Sequence, residues 1–141
     1  RVFAHESIAR QVAEGIAELA AKMPVGDPTL AMTEIGPLIR TKECDRIAEW
    51  VSEAVDGGAD TVVGGKKISH SCHEATVLYA PPADAKVSQQ EIFGPVVCVY
   101  PYGDIDEAAT LSSRADLTVL HGGEHLLETL GREFRHWGQH G

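Results

Sequence analysis

Between Ser7 and Met23 the residues Ile8, Val12, Ile16, Leu19 and Met23 recur at spacings of three and four, with Arg10, Glu14, Glu18 and Lys22 between them. That is the period of a helix with one apolar face, so the stretch predicts an amphipathic helix. Ser7 is the candidate N-cap, and "RVFAHE" before it reads as the end of a strand. Pro24 and Gly26-Asp27-Pro28 close the helix, and loop chemistry with a second Gly-Pro at Gly36-Pro37 continues to Thr41. A second helix opens behind Thr41. Ile47, Trp50, Val51, Ala54 and Val55 form its apolar face, and Gly57-Gly58 supplies a C-cap.

The period then shortens. "ADTVVGG" predicts a short strand closed by a glycine pair, and "ATVLY" predicts another. "VVCVY", Val96 to Tyr100, is apolar at every position, as a strand covered on both faces would be. Asp104 with Glu107 three residues later makes a capping box for a helix running to about Leu111. Further on, "DLTVL" followed by "EHLLETLGREF" repeats the order of strand and helix. Alternating helices and strands indicate an α/β fold with a mostly parallel sheet covered by helices.

Composition narrows the partners. The chain of 141 residues is the size of one domain, with 43% apolar and 23% charged residues, as in ordinary globular proteins. Twenty-one acids against twelve bases give a net charge of -9, which repels phosphate backbones and acidic lipid surfaces. Nucleic acid and membrane are therefore not expected partners. Cys44, Cys72 and Cys98 are odd in number and widely spaced, which argues against a disulfide framework and for a reducing, cytoplasmic setting. Cys44 and Cys98 lie within apolar patterns and read as small packing residues.

One stretch resists a purely structural reading. In "QQEIFGPVVCVY" a carboxylate, Glu91, heads an apolar run and is followed by Phe93 and a Gly94-Pro95 break. Taken with "VGDP" and "IGPLI" at their distances upstream, "EIFGPV" resembles the catalytic domain of the NAD(P)-dependent aldehyde dehydrogenase family. The resemblance covers residues 1–111, a partial catalytic domain, and leaves 112–141 as a divergent or foreign tail. It implies an enzyme that oxidises an aldehyde to a carboxylic acid with NAD or NADP, working as a homo-oligomer when complete. It also implies that Glu91 accepts hydrogen bonds from the ribose hydroxyls beside the nicotinamide and that Phe93 packs at the same end of the cofactor. A carboxylate is acceptor-only and can grip two vicinal hydroxyls, while a flat ring supplies apolar contact. Gly94-Pro95 would let the backbone turn closely beneath the ligand.

The departures bear on activity. The family's nucleophilic cysteine would lie a few residues before Arg1, so no catalytic residue is assigned within the chain, and this chain alone is expected to be inactive. "GGKK" at Gly64 to Lys67 lacks the glycine spacing of a phosphate loop. As a piece cut from a larger fold, the chain is expected to leave a strand such as Val96 to Tyr100 without neighbours; a noncatalytic α/β interaction fragment is the alternative reading. In the tail "HGGEH", His121 with Glu124 and His125, fits the HxxEH pattern of a zinc peptidase. Gly122-Gly123 disfavours helix at the turn that must align the ligands. "HWGQH" and the cramped "HSCHE" of His70 to Glu74 are weaker still, so no metal is expected.

Overall fold

A computed structural model describes residues 1–112. In chain order they form β1 (Val2–His5), α1 (Glu6–Ala20), α2 (Thr41–Asp56), β2 (Asp60–Val63), β3 (Thr76–Tyr79), α3 (Lys86–Gln89), β4 (Val96–Tyr102) and α4 (Ile105–Ser112). The tail motifs "DLTVL", "EHLLETLGREF", "HGGEH" and "HWGQH" lie outside the described residues. Among the described residues no helix is long and apolar enough to cross a membrane.

The four strands make one sheet in the order β1-β4-β3-β2. β1 and β3 both run parallel to β4, with Phe3 opposite Tyr100 and Leu78 opposite Cys98, and β2 closes the far side antiparallel to β3. The sheet is thus mostly parallel, as expected. β4 does not lack neighbours: it is paired on both sides, and β1 and β2 are the edges among the described residues. The apolar run of β4 follows from this placement, because successive side chains enter two different cores. Val97 and Val99 join Val77 on one face, while Cys98 and Tyr100 join Leu78 on the other.

α1 covers the first face and α2 the second, and their sequences meet the sheet differently. α2 behaves as its pattern predicts, burying Ile47, Trp50, Val51 and Ala54 together with Cys44, although Val55 remains 40% exposed. α1 does not. The residues it buries are Ala9, Ala13 and Ala17, whereas Ile8 and Leu19 stand exposed. Three alanines one turn apart let the helix backbone sit close to the sheet; Ile16 of the predicted face still packs against this core, while Ile8 and Leu19 are turned outward. Arg10 ties the outer side of α1 to the sheet: its guanidinium binds Glu14 one turn on and Asp60 at the start of β2, and it lies 5.4 Å from the Tyr79 ring centroid. The cap is also displaced. His5, not Ser7, is the N-cap of α1, because its Nδ1 accepts from the Ser7 backbone N–H at 3.3 Å.

Other ends are legible. Gly58 takes φ +111°, the left-handed conformation glycine tolerates best, and ends α2 in a Schellman turn. Gly58 N–H donates to the Val55 carbonyl at 2.9 Å and Ala59 N–H to that of Ala54 at 2.9 Å. The capping box of α4 is present with a shift of one residue. Asp104 Oδ1 accepts from Glu107 N–H at 2.9 Å, and Glu107 Oε2 accepts from Gly103 N–H at 2.7 Å.

Candidate functional site

Gln90 to Pro95 connects α3 to β4, and its course is set from several sides. At the front, Arg1 Nη2 donates to the Gln90 carbonyl at 3.0 Å, and Gln90 N–H donates to the carbonyl of Lys86, the first residue of α3, at 2.9 Å. At the back, the Pro95 carbonyl accepts from Thr76 N–H at 2.8 Å, and Val96 N–H turns back to the Gly94 carbonyl at 2.8 Å. Between these anchors the side chains alternate. Glu91 and Phe93 are exposed, Phe93 to 74%, while Ile92 packs against the core beneath α2. Leaving a phenylalanine ring in water forgoes about 1.5–3 kcal/mol of burial. The acid and the ring singled out by the sequence therefore stand side by side on the surface, held from below by the isoleucine between them.

The structure also explains the glycine. A Cβ built on Gly94 would fall 2.2 Å from Ile47 Cδ1 and 3.7 Å from Leu38 Cδ2. The close approach at Gly94 is to the protein's own core, where the sequence reading had placed a ligand. Leu38 belongs to "IGPLI", so this family motif and "EIFGPV" meet over Ile47. "VGDP" is tied into the same assembly: Gly26 N–H donates to the Ile35 carbonyl at 3.0 Å, and Val25 bridges Ile35 in parallel. Asp27 Oδ1 accepts from the backbone and hydroxyl of Thr29 at 2.9 and 2.8 Å, which holds its carboxyl below the usual carboxylate range and shapes the turn. Three motifs separated in sequence form one support. Ile47 and Arg1 carried no functional signal in the sequence, since one reads as a core residue and the other as a strand's first cation.

The thiols are not poised for chemistry. Cys44, Cys72 and Cys98 are buried and free. Burial pushes the Cys44 and Cys98 thiols up, which disfavours the thiolate that a nucleophile requires. Cys44 Sγ lies 3.9 Å from the Ser69 carbonyl oxygen, and Cys98 sits in the middle of β4, so both serve as packing groups. In "HSCHE", His73 turns inward and is 1% exposed; its Nδ1 lies 3.0 Å from the Glu74 carbonyl oxygen, and its Nε2 has no hydrogen-bond partner. Among the described residues no group of three His, Cys, Asp or Glu side chains could hold a metal ion. "GGKK" is a strand exit. Gly64 and Gly65 take φ +74° and +95°, and Gly65 N–H donates to Thr76 Oγ1 at 2.9 Å.

Comparison with known proteins places this arrangement. The 3-sulfolactaldehyde dehydrogenase of Priestia aryabhattai is 38% identical over 122 residues, which are 86% of this chain and 25% of that protein. The vanillin dehydrogenase of Amycolatopsis sp. is 34% identical over 116 residues, 82% of this chain and 24% of that one. The chain thus spans about a quarter of the length of the curated relatives it matches. Among solved structures, aldehyde dehydrogenase 21 from Physcomitrella patens, in complex with the reaction product succinate, superposes with a TM-score of 0.71 at 35% identity, covering 77% of this chain and 22% of that one. The Mycobacterium tuberculosis aldehyde dehydrogenase complexed with NAD+ gives 0.73 at 27% identity, covering 79% and 24%. The family model described as "Aldehyde dehydrogenase family" matches residues 1–118, which takes in the sheet, its covering helices and the three converging motifs, and the chain belongs to that family.

Proposed function

We propose that this chain is part of an NAD(P)-dependent aldehyde dehydrogenase that oxidises an aldehyde to a carboxylic acid, and that Glu91 and Phe93 meet the nicotinamide end of the cofactor. The observation that carries this reading is the exposed pair itself: a carboxylate and a ring exposed to 74%, side by side in the "EIFGPV" motif and braced by a buried framework. The residues suit the group. An ionised carboxylate offers only acceptor lone pairs, so it can take both hydroxyl protons of a ribose, and a neighbouring ring gives apolar contact without competing for them. The cofactor, when bound, supplies the hydride acceptor.

The residues of this chain then have separable tasks. Glu91 orients the sugar, Phe93 shields one side of the ring system from water, and Ile92 keeps both pointing outward. Fixing the sugar fixes the ring attached to it, so the contact contributes to the rate of hydride transfer as well as to affinity. The buried thiols take no part, and the nucleophile comes from polypeptide other than the described residues. The complete protein is a homo-oligomer in the cytoplasm. Its three buried, unpaired cysteines suit a reducing compartment, and the outward Ile8, Leu19 and Ile39 offer apolar surface for further polypeptide.

The test uses the complete enzyme, with a relative's upstream portion joined to Arg1. Glu91→Gln keeps the size and removes the charge that strengthens the hydrogen bonds. We expect it to cost about 1–3 kcal/mol, shared between NAD affinity and the single-turnover rate of NADH formation. Phe93→Ala weakens cofactor binding and leaves the aldehyde KM near its original value. Equal hydride rates and equal NAD affinity in the original and Glu91→Gln enzymes would refute the assignment.

A further inference from the structure

We propose that Ile47 of α2 is a positioning residue for the cofactor contact, acting as the seat on which Gly94 rests and which thereby sets the direction of Glu91 and Phe93. This rests on the role given above to those two side chains. Ile47 is fully buried and touches no surface on which a ligand could lie. Its Cδ1 nevertheless reaches the connection leading into β4, where there is no room even for a methyl group on Gly94. Ile47 Cδ1 is therefore the atom of α2 that any bulk added at Gly94 meets first.

Three further observations make this contact a control point. The segment is tied at both ends, because Arg1 Nη2 donates to the Gln90 carbonyl and Thr76 N–H to that of Pro95. It cannot easily sink or rise, since Ile92 is packed in the cluster that contains Ile47. Ile47 cannot readily retreat, because it lies within α2 and is fully enclosed by the core around Trp50, Val51 and Leu78. A change in bulk at this junction must therefore be taken up by the short stretch that carries Glu91 and Phe93. Close-packed interiors transmit such strain instead of absorbing it.

The steric relation suggests a complementation test. In the complete enzyme, Gly94→Ala places a Cβ against Ile47 Cδ1, and Ile47→Val removes that one atom. The nearest remaining carbon, Ile47 Cγ1, is 3.3 Å from the new Cβ, so a shift of a few tenths of an ångström relieves the contact. For Gly94→Ala we expect the single-turnover hydride rate to fall about tenfold and KM for NAD+ to rise, with KM for the aldehyde within about twofold of its original value. Ile47→Val alone should lower the hydride rate about threefold by leaving a void of one methyl beneath the segment. The double variant should recover to within about threefold of the original enzyme, so the two changes are strongly non-additive.

Glu91→Gln, measured in parallel, separates this inference from its foundation. A silent Glu91→Gln removes the cofactor reading and the seat with it. If Glu91→Gln is impaired while Gly94→Ala loses only thermal stability and keeps its NAD+ kinetics per active site, the cofactor reading stands and the seat is refuted. An impaired Gly94→Ala that Ile47→Val fails to restore also refutes it. If Gly94→Ala does not fold, the outcome rests on the other two variants: a double variant that stays unfolded, or an Ile47→Val hydride rate equal to the original, overturns the proposal.

Discussion

Gly64→Ala is the substitution whose cost is best defined by the fold. Gly64 leaves β2 at φ +74°, and a Cβ there would lie 2.2 Å from the Ala75 carbonyl oxygen, 2.9 Å from its carbon and 2.9 Å from Thr76 Oγ1. Two of those atoms are backbone. They cannot swing aside, because Thr76 opens β3 and its N–H is committed to the Pro95 carbonyl at 2.8 Å. Holding alanine in the left-handed region costs about 1–2 kcal/mol. Overpacking against fixed atoms adds about 1–3 kcal/mol. Moving Thr76 Oγ1 away from Gly65 N–H gives up a further 0.5–1.5 kcal/mol or so. The expected loss is about 2.5–6.5 kcal/mol, a large part of the roughly 5–15 kcal/mol that stabilises a typical domain. Guanidinium unfolding followed by far-ultraviolet circular dichroism measures it as a fall in midpoint at constant slope. Gly26→Ala is the control, since nothing lies within 4 Å of its Cβ and its φ is ordinary. A Gly64→Ala protein within about 0.5 kcal/mol of the original would show that the β2 exit is free to move and that the reasoning is wrong.

Gly15 lies inside α1, exposed and with nothing within 4 Å of its Cβ, so Gly15→Ala should stabilise by about 0.5–1 kcal/mol, read as a higher midpoint in the same assay. The clamp between α2 and α3 predicts a dependence on acid. Lys86 lies 2.8 Å from Glu53 and 3.3 Å from Glu49, and the hydrogen bond from Lys86 holds the Glu53 carboxyl below its ordinary value of 4.5. A depressed folded-state value means the contribution is present above the ordinary value and is lost as pH falls from there through the depressed one. Unfolding midpoints at neutral and acid pH should therefore converge in Lys86→Met relative to the original chain, and an unchanged difference would show that the pair contributes nothing.

Local order decided much of this protein in advance. The helix of Thr41–Asp56, its glycine stop, the strands at Thr76 and Val96 and the capping box at Asp104 follow from periodicity and end chemistry, which act over a few residues and are visible in the letters. The candidate pair Glu91 and Phe93 came from a different source, the resemblance of the short string "EIFGPV" to a known family, because local chemistry alone reads an acid there as a strand entrance. Tertiary structure decided what periodicity leaves degenerate. An amphipathic pattern specifies that α1 has an apolar stripe but not which side faces the sheet, and close approach over four strands selected Ala9, Ala13 and Ala17 over the larger Ile8 and Leu19. His5 displaced Ser7 as cap because the path of β1 into the helix brought its ring onto the Ser7 N–H. The support beneath Glu91 belongs to the same class. Leu38, Ile47 and Gly94 are far apart along the chain, and only folding brings them into contact, so the meaning of that glycine lay in a side chain of a different helix.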